Sequence, residues 1–213
     1  MRIKRIIDIS GIISDKTTLW PGDEGVTRNR ILNIENGDSC NLSVLNMGVH
    51  ISTHVDAPLH FIEGGADVSA VSLNKFIGFA KVFSLNTSNS IKASDLSGLD
   101  INKGDIVLLK TINSLLDMTG EFNKEFVYLD EDAAKFLVDQ KIAAVGIDYL
   151  SVENYYADNA ITHKLLLQND IGIIEGLCLR DVPEGEYFLS CLPLKLEGVE
   201  ASPARAVLVE FDL

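Results

Sequence analysis

Three of the four histidines in this chain lie in one short run, His50-Ile-Ser-Thr-His54-Val-Asp56-Ala-Pro58-Leu-His60-Phe61; the fourth is His163. The run constrains the backbone strongly. Pro58 lacks an amide N–H and has a fixed φ, which argues against a helix there. In a helix Asp56 would also turn away from His54. On extended backbone alternate side chains share a face. His50, His54, Asp56 and His60 are all even-numbered, so all four can point the same way. A straight strand of ten steps would span roughly 33 Å, too far for both ends to meet at one ion. The chain must therefore bend, near Ser52-Thr53 or near Ala57-Pro58, if these side chains converge. Imidazole with carboxylate is the donor set of zinc, manganese or iron. No cysteine lies nearby, which argues against a closed thiolate zinc site.

The remaining composition narrows the function class. A chain of 213 residues fits a single domain, 1–213, and 46% hydrophobic residues supply a sizeable core. A net charge of −13 disfavours nucleic acid and anionic membrane as partners. Cys40, Cys178 and Cys191 form no Cys-x-x-Cys pair. They read as small buried hydrophobes in a reducing cytoplasm. No apolar run reaches the length of a membrane span. The stretch Met1 to Asp8 is charged without a following apolar segment, so it does not read as a signal peptide.

Along the chain, strands are expected at Arg5 to Ile9, Thr27 to Glu35, Cys40 to Val49 and Ala80 to Leu85. The apolar runs Asp105 to Thr111, Ile142 to Ile147 and Ile171 to Glu175 read as buried strands. Val68 to Phe76 is short and amphipathic, and Lys92 to Leu99 reads as a helical turn. Asn36-Gly37-Asp38 is a hairpin-type turn. Asp130 opens a helix whose first turn is acidic and whose buried stripe is Ala133, Phe136 and Leu137. With a brief strand before it, Phe126 to Leu129, and Ile142 to Ile147 after it, this helix reads as a β-α-β element. Thr162 is expected to cap a second helix carrying His163. Closing strands are expected at Tyr187 to Leu196 and Ala204 to Phe211. Trp20 sits on a loop ending in Pro21-Gly22-Asp23, as a packing plug or a substrate contact.

The run from His50 to Phe61 resembles the signature His-x-Gly-Thr-His-x-Asp-Ala-Pro-x-His-Phe of the cyclase / kynurenine formamidase family of metal-dependent hydrolases. Ser52 stands where the family usually has Gly. Further segments are similar: Trp20 to Asp23 near the mouth of the site, Gly146 to Val152, Glu175-Gly176-Leu177 twelve residues after His163, and Ser202 to Ala206. Lys110-Thr111-Ile112 departs from an Arg-Thr-Gly-like segment. The resemblance implies an α/β (α+β) fold of the swivelling β/β/α type, a mixed β-barrel-like sheet flanked by helices. It implies His50, His54, Asp56, His163 and Glu175 as ligands of divalent zinc or manganese, two ions per chain, with Asp56 or Glu175 as a bridge. It implies His60 as general acid/base, a role that spacing alone does not separate from that of a ligand, and it favours Trp20 as a substrate contact. The implied reaction is hydrolysis of a small-molecule amide, N-formylkynurenine to kynurenine and formate, by metal-bound hydroxide. The alternatives are an isatin hydrolase-like or lactone-opening enzyme, and a non-enzymatic metal-binding homologue. A homodimer or larger homo-oligomer is implied as well.

Overall fold

The longest apolar stretches of the sequence become the middle of one sheet. A computed structural model of the chain describes residues 2–212; Met1 and Leu213, the ends of the expected 1–213 domain, lie outside them. The strands are β1 (Arg2–Asp8), β2 (Thr27–Leu32), β3 (Leu42–Asn46), β4 (His54–Asp56), β5 (Ile77–Ser84), β6 (Ser90–Ile91), β7 (Ile106–Lys110), β8 (Tyr128–Leu129), β9 (Ala144–Ile147), β10 (Gly172–Glu175), β11 (Gly185–Ser190), β12 (Ala201–Pro203) and β13 (Val207–Asp212). The helices are α1 (Ala93–Leu96), α2 (Glu131–Gln140) and α3 (Ile161–Gln168). Nine strands form a curled sheet in the order β1-β13-β11-β5-β7-β9-β10-β4-β12. Its centre, β5-β7-β9-β10, is parallel, and both flanks are antiparallel.

Parallel strands are covered on both faces and so read as continuous apolar runs. Ile106, Leu108, Ala144 and Ile174 face a core inside the curl, with Val55, Leu189 and Leu208. Val107, Leu109, Val145, Ile147 and Ile173 face the opposite way, onto Ala133, Ala134 and Leu137 of α2 and Leu166 and Leu167 of α3. The fold is therefore the mixed, helix-flanked α+β sheet that the sequence implies. The hairpin of β2 and β3 projects from it, leaving Ile31, Leu42, Val44 and Leu45 half or more exposed.

Several local expectations are corrected. The strand before α2 is β8, but β8 pairs with β6 in a separate small sheet. The parallel partners of β9 are β7 and β10, and the chain reaches β9 from β7 through α2, so the crossover unit is β7-α2-β9. Two residues make too short a ladder to compete with the four apolar residues Ile106 to Leu109 of β7. Thr162 is not the cap of α3: the cap position is Ala160, and the Thr162 hydroxyl donates to the Leu129 carbonyl from inside the helix. The stretch Val68 to Phe76 contains two 3₁₀ turns. The strand expected to run to Leu196 ends at Ser190, and three-residue β12, with Pro203 at the sheet edge, carries no sequence signal of its own.

Candidate metal centre

Strands β4 and β10 supply the floor of the site. His54 and Asp56 alternate on β4 and so share a face. Glu175 lies directly opposite His54 across the antiparallel pair. The run bends at both expected places. Ser52 has a φ of 56°, a left-handed conformation that favours glycine, and this turn carries His50 back until its Nδ1 is 3.1 Å from Asp56 Oδ1. Gly176, at φ 69°, passes so close that a Cβ there would lie 2.2 Å from the Ser52 carbonyl oxygen. A 3₁₀ turn at Pro58–His60 then stacks His60 on His50, with ring centroids 4.0 Å apart. Helix α3 brings in His163 from the far side.

The atoms converge on Asp56. His54 Nε2 is 3.5 Å from its Oδ1 and His163 Nε2 is 3.7 Å from its Oδ2. Glu175 spans the same two rings, with Oε2 3.2 Å from His54 Nε2 and Oε1 3.2 Å from His163 Nε2. Two three-residue groups result, His50-His54-Asp56 and Asp56-His163-Glu175, and Asp56 belongs to both. His60 is in neither group. The Nδ1 of His54 is 2.9 Å from the Ser52 carbonyl, which can only accept, so Nδ1 bears a proton and Nε2 faces the acids. The Val152 N–H donates to Glu175 Oε1 at 2.7 Å.

His54 is fully buried and Asp56 is 1% exposed, yet His54 Nε2, His50 Nε2 and both Asp56 oxygens lack a well-formed hydrogen bond. Buried polar atoms are nearly always satisfied. Orphaned nitrogen and carboxylate donors pointing at common ground fit a divalent cation.

The charges of the site lean on one another. Burial pulls the His54 imidazole down, but the contact with Glu175 and the charges of Asp56 and Glu175 outweigh it and raise the group to about 9. His163 rises to about 10, against burial, through Glu153, Glu175 and Asp56. Burial pushes Asp56 up, and the imidazoles of His50, His54 and His60 hold it below the ordinary carboxylate range. His60 moves the other way. Burial first, then the neighbouring charges of His50 and His163, lowers it to about 4 against the pull of Asp56. It is neutral near pH 7.

A cavity of about 310 Å³ opens over these rings, lined by Trp20, Asp23, His50, His60, Phe61, Leu150, Glu153, Tyr155 and His163 among others. Trp20 packs edge-on to Phe122 at 5.0 Å and against Tyr155 at 5.2 Å. The six residues expected from the sequence thus lie around one cavity or its floor, with Trp20 on the wall. The sequence reading did not find Glu153, whose Oε2 is 3.2 Å from the His163 amide and 3.4 Å from Nδ1. Its only signal was its place next to the Gly146 to Val152 segment. It also missed Tyr155 in the aromatic wall.

The profile of the Cyclase family matches residues 7–154. This chain belongs to that family. It is 38% identical to cyclase-like protein 3 of Oryza sativa subsp. japonica, over 97% of the chain and 80% of that protein. It is 37% identical to a kynurenine formamidase of Salinibacter ruber, over 95% of the chain and 96% of that protein. Among solved structures, one described as a potential metal-dependent hydrolase with cyclase activity has a TM-score of 0.88 at 39% identity, covering 98% of this chain and 99% of that one. An isatin hydrolase shares the fold alone, with a TM-score of 0.81 at 20% identity over 97% of this chain and 92% of its own. No helix among the described residues is long and apolar enough to cross a membrane.

Proposed function

We propose that this member of the cyclase family is a metal-dependent amidohydrolase of the kynurenine formamidase kind, releasing formate from N-formylkynurenine. The observation that carries the reading is the set of buried, unpaired donor atoms on His50, His54 and Asp56, beneath a cavity walled by aromatic rings. Two ions are proposed, one held by His50, His54 and Asp56, the other by Asp56, His163 and Glu175. Bound divalent zinc or manganese supplies Lewis acidity and brings the pKa of a water down to about 7.

The side chains do the remaining work. Asp56 and Glu175 would offset the charge of the ions. Trp20, Phe61 and Tyr155 accept the flat face of an aryl group and exclude water around it. His60 lies beside the ligand rings and is neutral at pH 7, so it can take a proton from the attacking water. As the C–N bond breaks, it returns that proton to the departing nitrogen. Oxygen from water stays on the formyl carbon as formate.

Homodimerisation belongs to the same proposal, and the exposed apolar hairpin supports it. Sedimentation should give about twice the chain mass of 23.3 kDa. A cytoplasmic location is also proposed, since Cys40, Cys178 and Cys191 are all unpaired.

The test is metal content by mass spectrometry, followed by hydrolysis of N-formylkynurenine with zinc or manganese restored. Bound metal with rapid formate release supports the reading. Bound metal without it retires the formamidase assignment and turns the search to cyclic amides and lactones. No metal after reconstitution overturns the whole proposal. Replacing Asp56, common to both positions, by Ala should abolish metal content and turnover, and His54→Ala should lose the ion of the first position and turnover; a fully active variant would contradict the assigned ligands.

A further inference from the structure

We infer that Glu153 is a positioning residue that fixes the ring of His163 and so completes the second metal position; this rests on the metal reading above. Two features of the fold meet at its carboxylate. Helix α3 has Ala160 at its cap position, and an alanine side chain accepts nothing. The first-turn amides of a helix are left without partners inside it. Glu153 Oε2 accepts the His163 N–H at 3.2 Å and does the work of the absent cap.

The same oxygen lies 3.4 Å from Nδ1 of the His163 ring. A carboxylate there favours the proton on Nδ1 and leaves Nε2 free to face Glu175 and Asp56. The site uses the same logic on its other side, where the Ser52 carbonyl holds Nδ1 of His54. Val152, the preceding residue, donates its amide to Glu175. Adjacent residues of one loop therefore hold both the acid and the imidazole of the Asp56-His163-Glu175 group. Partners of this kind typically set metal affinity by ten- to a hundredfold.

The experiment is a zinc titration of the metal-free full-length chain, using a competing chelator, on the parent, Glu153→Ala, Glu153→Gln and Glu153→Asp. Glu153→Ala should weaken the affected zinc by about ten- to a hundredfold. Glu153→Gln should recover most of the loss, because it keeps an oxygen at the same reach. Glu153→Asp should remain weak, because its carboxylate is withdrawn by one methylene. A role confined to the helix cap would not change the ring. The His163 Nδ1–H resonance of the zinc-loaded protein therefore gives a second readout, expected in the parent and Glu153→Gln and lost to exchange in Glu153→Ala. Parent-like affinity with an intact Nδ1–H signal in Glu153→Ala overturns the inference and leaves the metal reading standing. If Glu153→Ala does not fold, parent-like affinity in Glu153→Asp overturns it instead. A parent that binds no zinc overturns the metal reading and this inference with it.

Discussion

Ser52 shows how one side chain can sit in a conformation better suited to another. Its left-handed φ of 56° turns the chain between His50 and His54, and a non-glycine residue there carries a strain of about 1 kcal/mol. Space has been made for it elsewhere: a Cβ on Gly11 would come within 2.4 Å of the Ser52 hydroxyl. Ser52→Gly should therefore stabilise the protein by up to about 0.5 kcal/mol, the part of the strain left after the entropy that glycine adds to the unfolded chain. A rise in the urea midpoint with an unchanged m-value would show it; a fall would mean that the serine makes contacts worth more than the strain. The cysteines give a second residue-scale prediction. Burial pushes the Cys191 thiol up to about 12, whereas Cys40 is exposed. Only the thiolate reacts. At pH 8 a thiol reagent should label Cys40 in the native protein and reach Cys191 only after denaturation. Prompt labelling of native Cys191 would contradict the packing around it.

At the scale of elements, the β7-α2-β9 crossover ties the sheet to its helical layer. Leu137 of α2 is fully buried against that face of the sheet. Leu137→Ala should cost about 2–5 kcal/mol, read as a fall in the urea midpoint. A loss under 1 kcal/mol would mean that α2 is loosely docked. The continuous apolar runs made β7, β9 and β10 legible, because burial on both faces leaves no alternation to confuse. The acidic first turn and the Asp130 cap made α2 legible for an equally local reason. The pairing of β8 was not legible. Whether two residues join the main sheet or a side ribbon depends on competing partners far away in sequence. The cap of α3 failed for a similar reason: Thr162 finds a partner at Leu129 that only the fold brings near.

For the whole molecule, the fold buries His54, Asp56, His163 and Glu175 beneath the cavity, so unpaired donors there should destabilise the metal-free protein. Zinc at about a hundredfold above its Kd should add about 2.7 kcal/mol. In a chain of this length that corresponds to a rise in Tm of about 5–10 °C. Differential scanning calorimetry before and after a chelator would measure it, and the shift should disappear in Asp56→Ala, which removes the residue common to both positions. A Tm indifferent to metal would argue against the assigned ligands.

The family resemblance implied the candidate donor set; the residues read alone carried the even spacing that places His54 and Asp56 on one face, the need for a bend, and the apolar strands beneath. These follow from covalent geometry and local periodicity, which act over a few residues. Tertiary structure alone decided that Glu175 lies opposite His54, that Asp56 serves two groups at once, and that Glu153 reaches His163. Each of these depends on strand register or on a loop meeting a helix, across 10 residues between Glu153 and His163 and 121 between His54 and Glu175. No local pattern encodes such distances; the packing of the shared core fixes them.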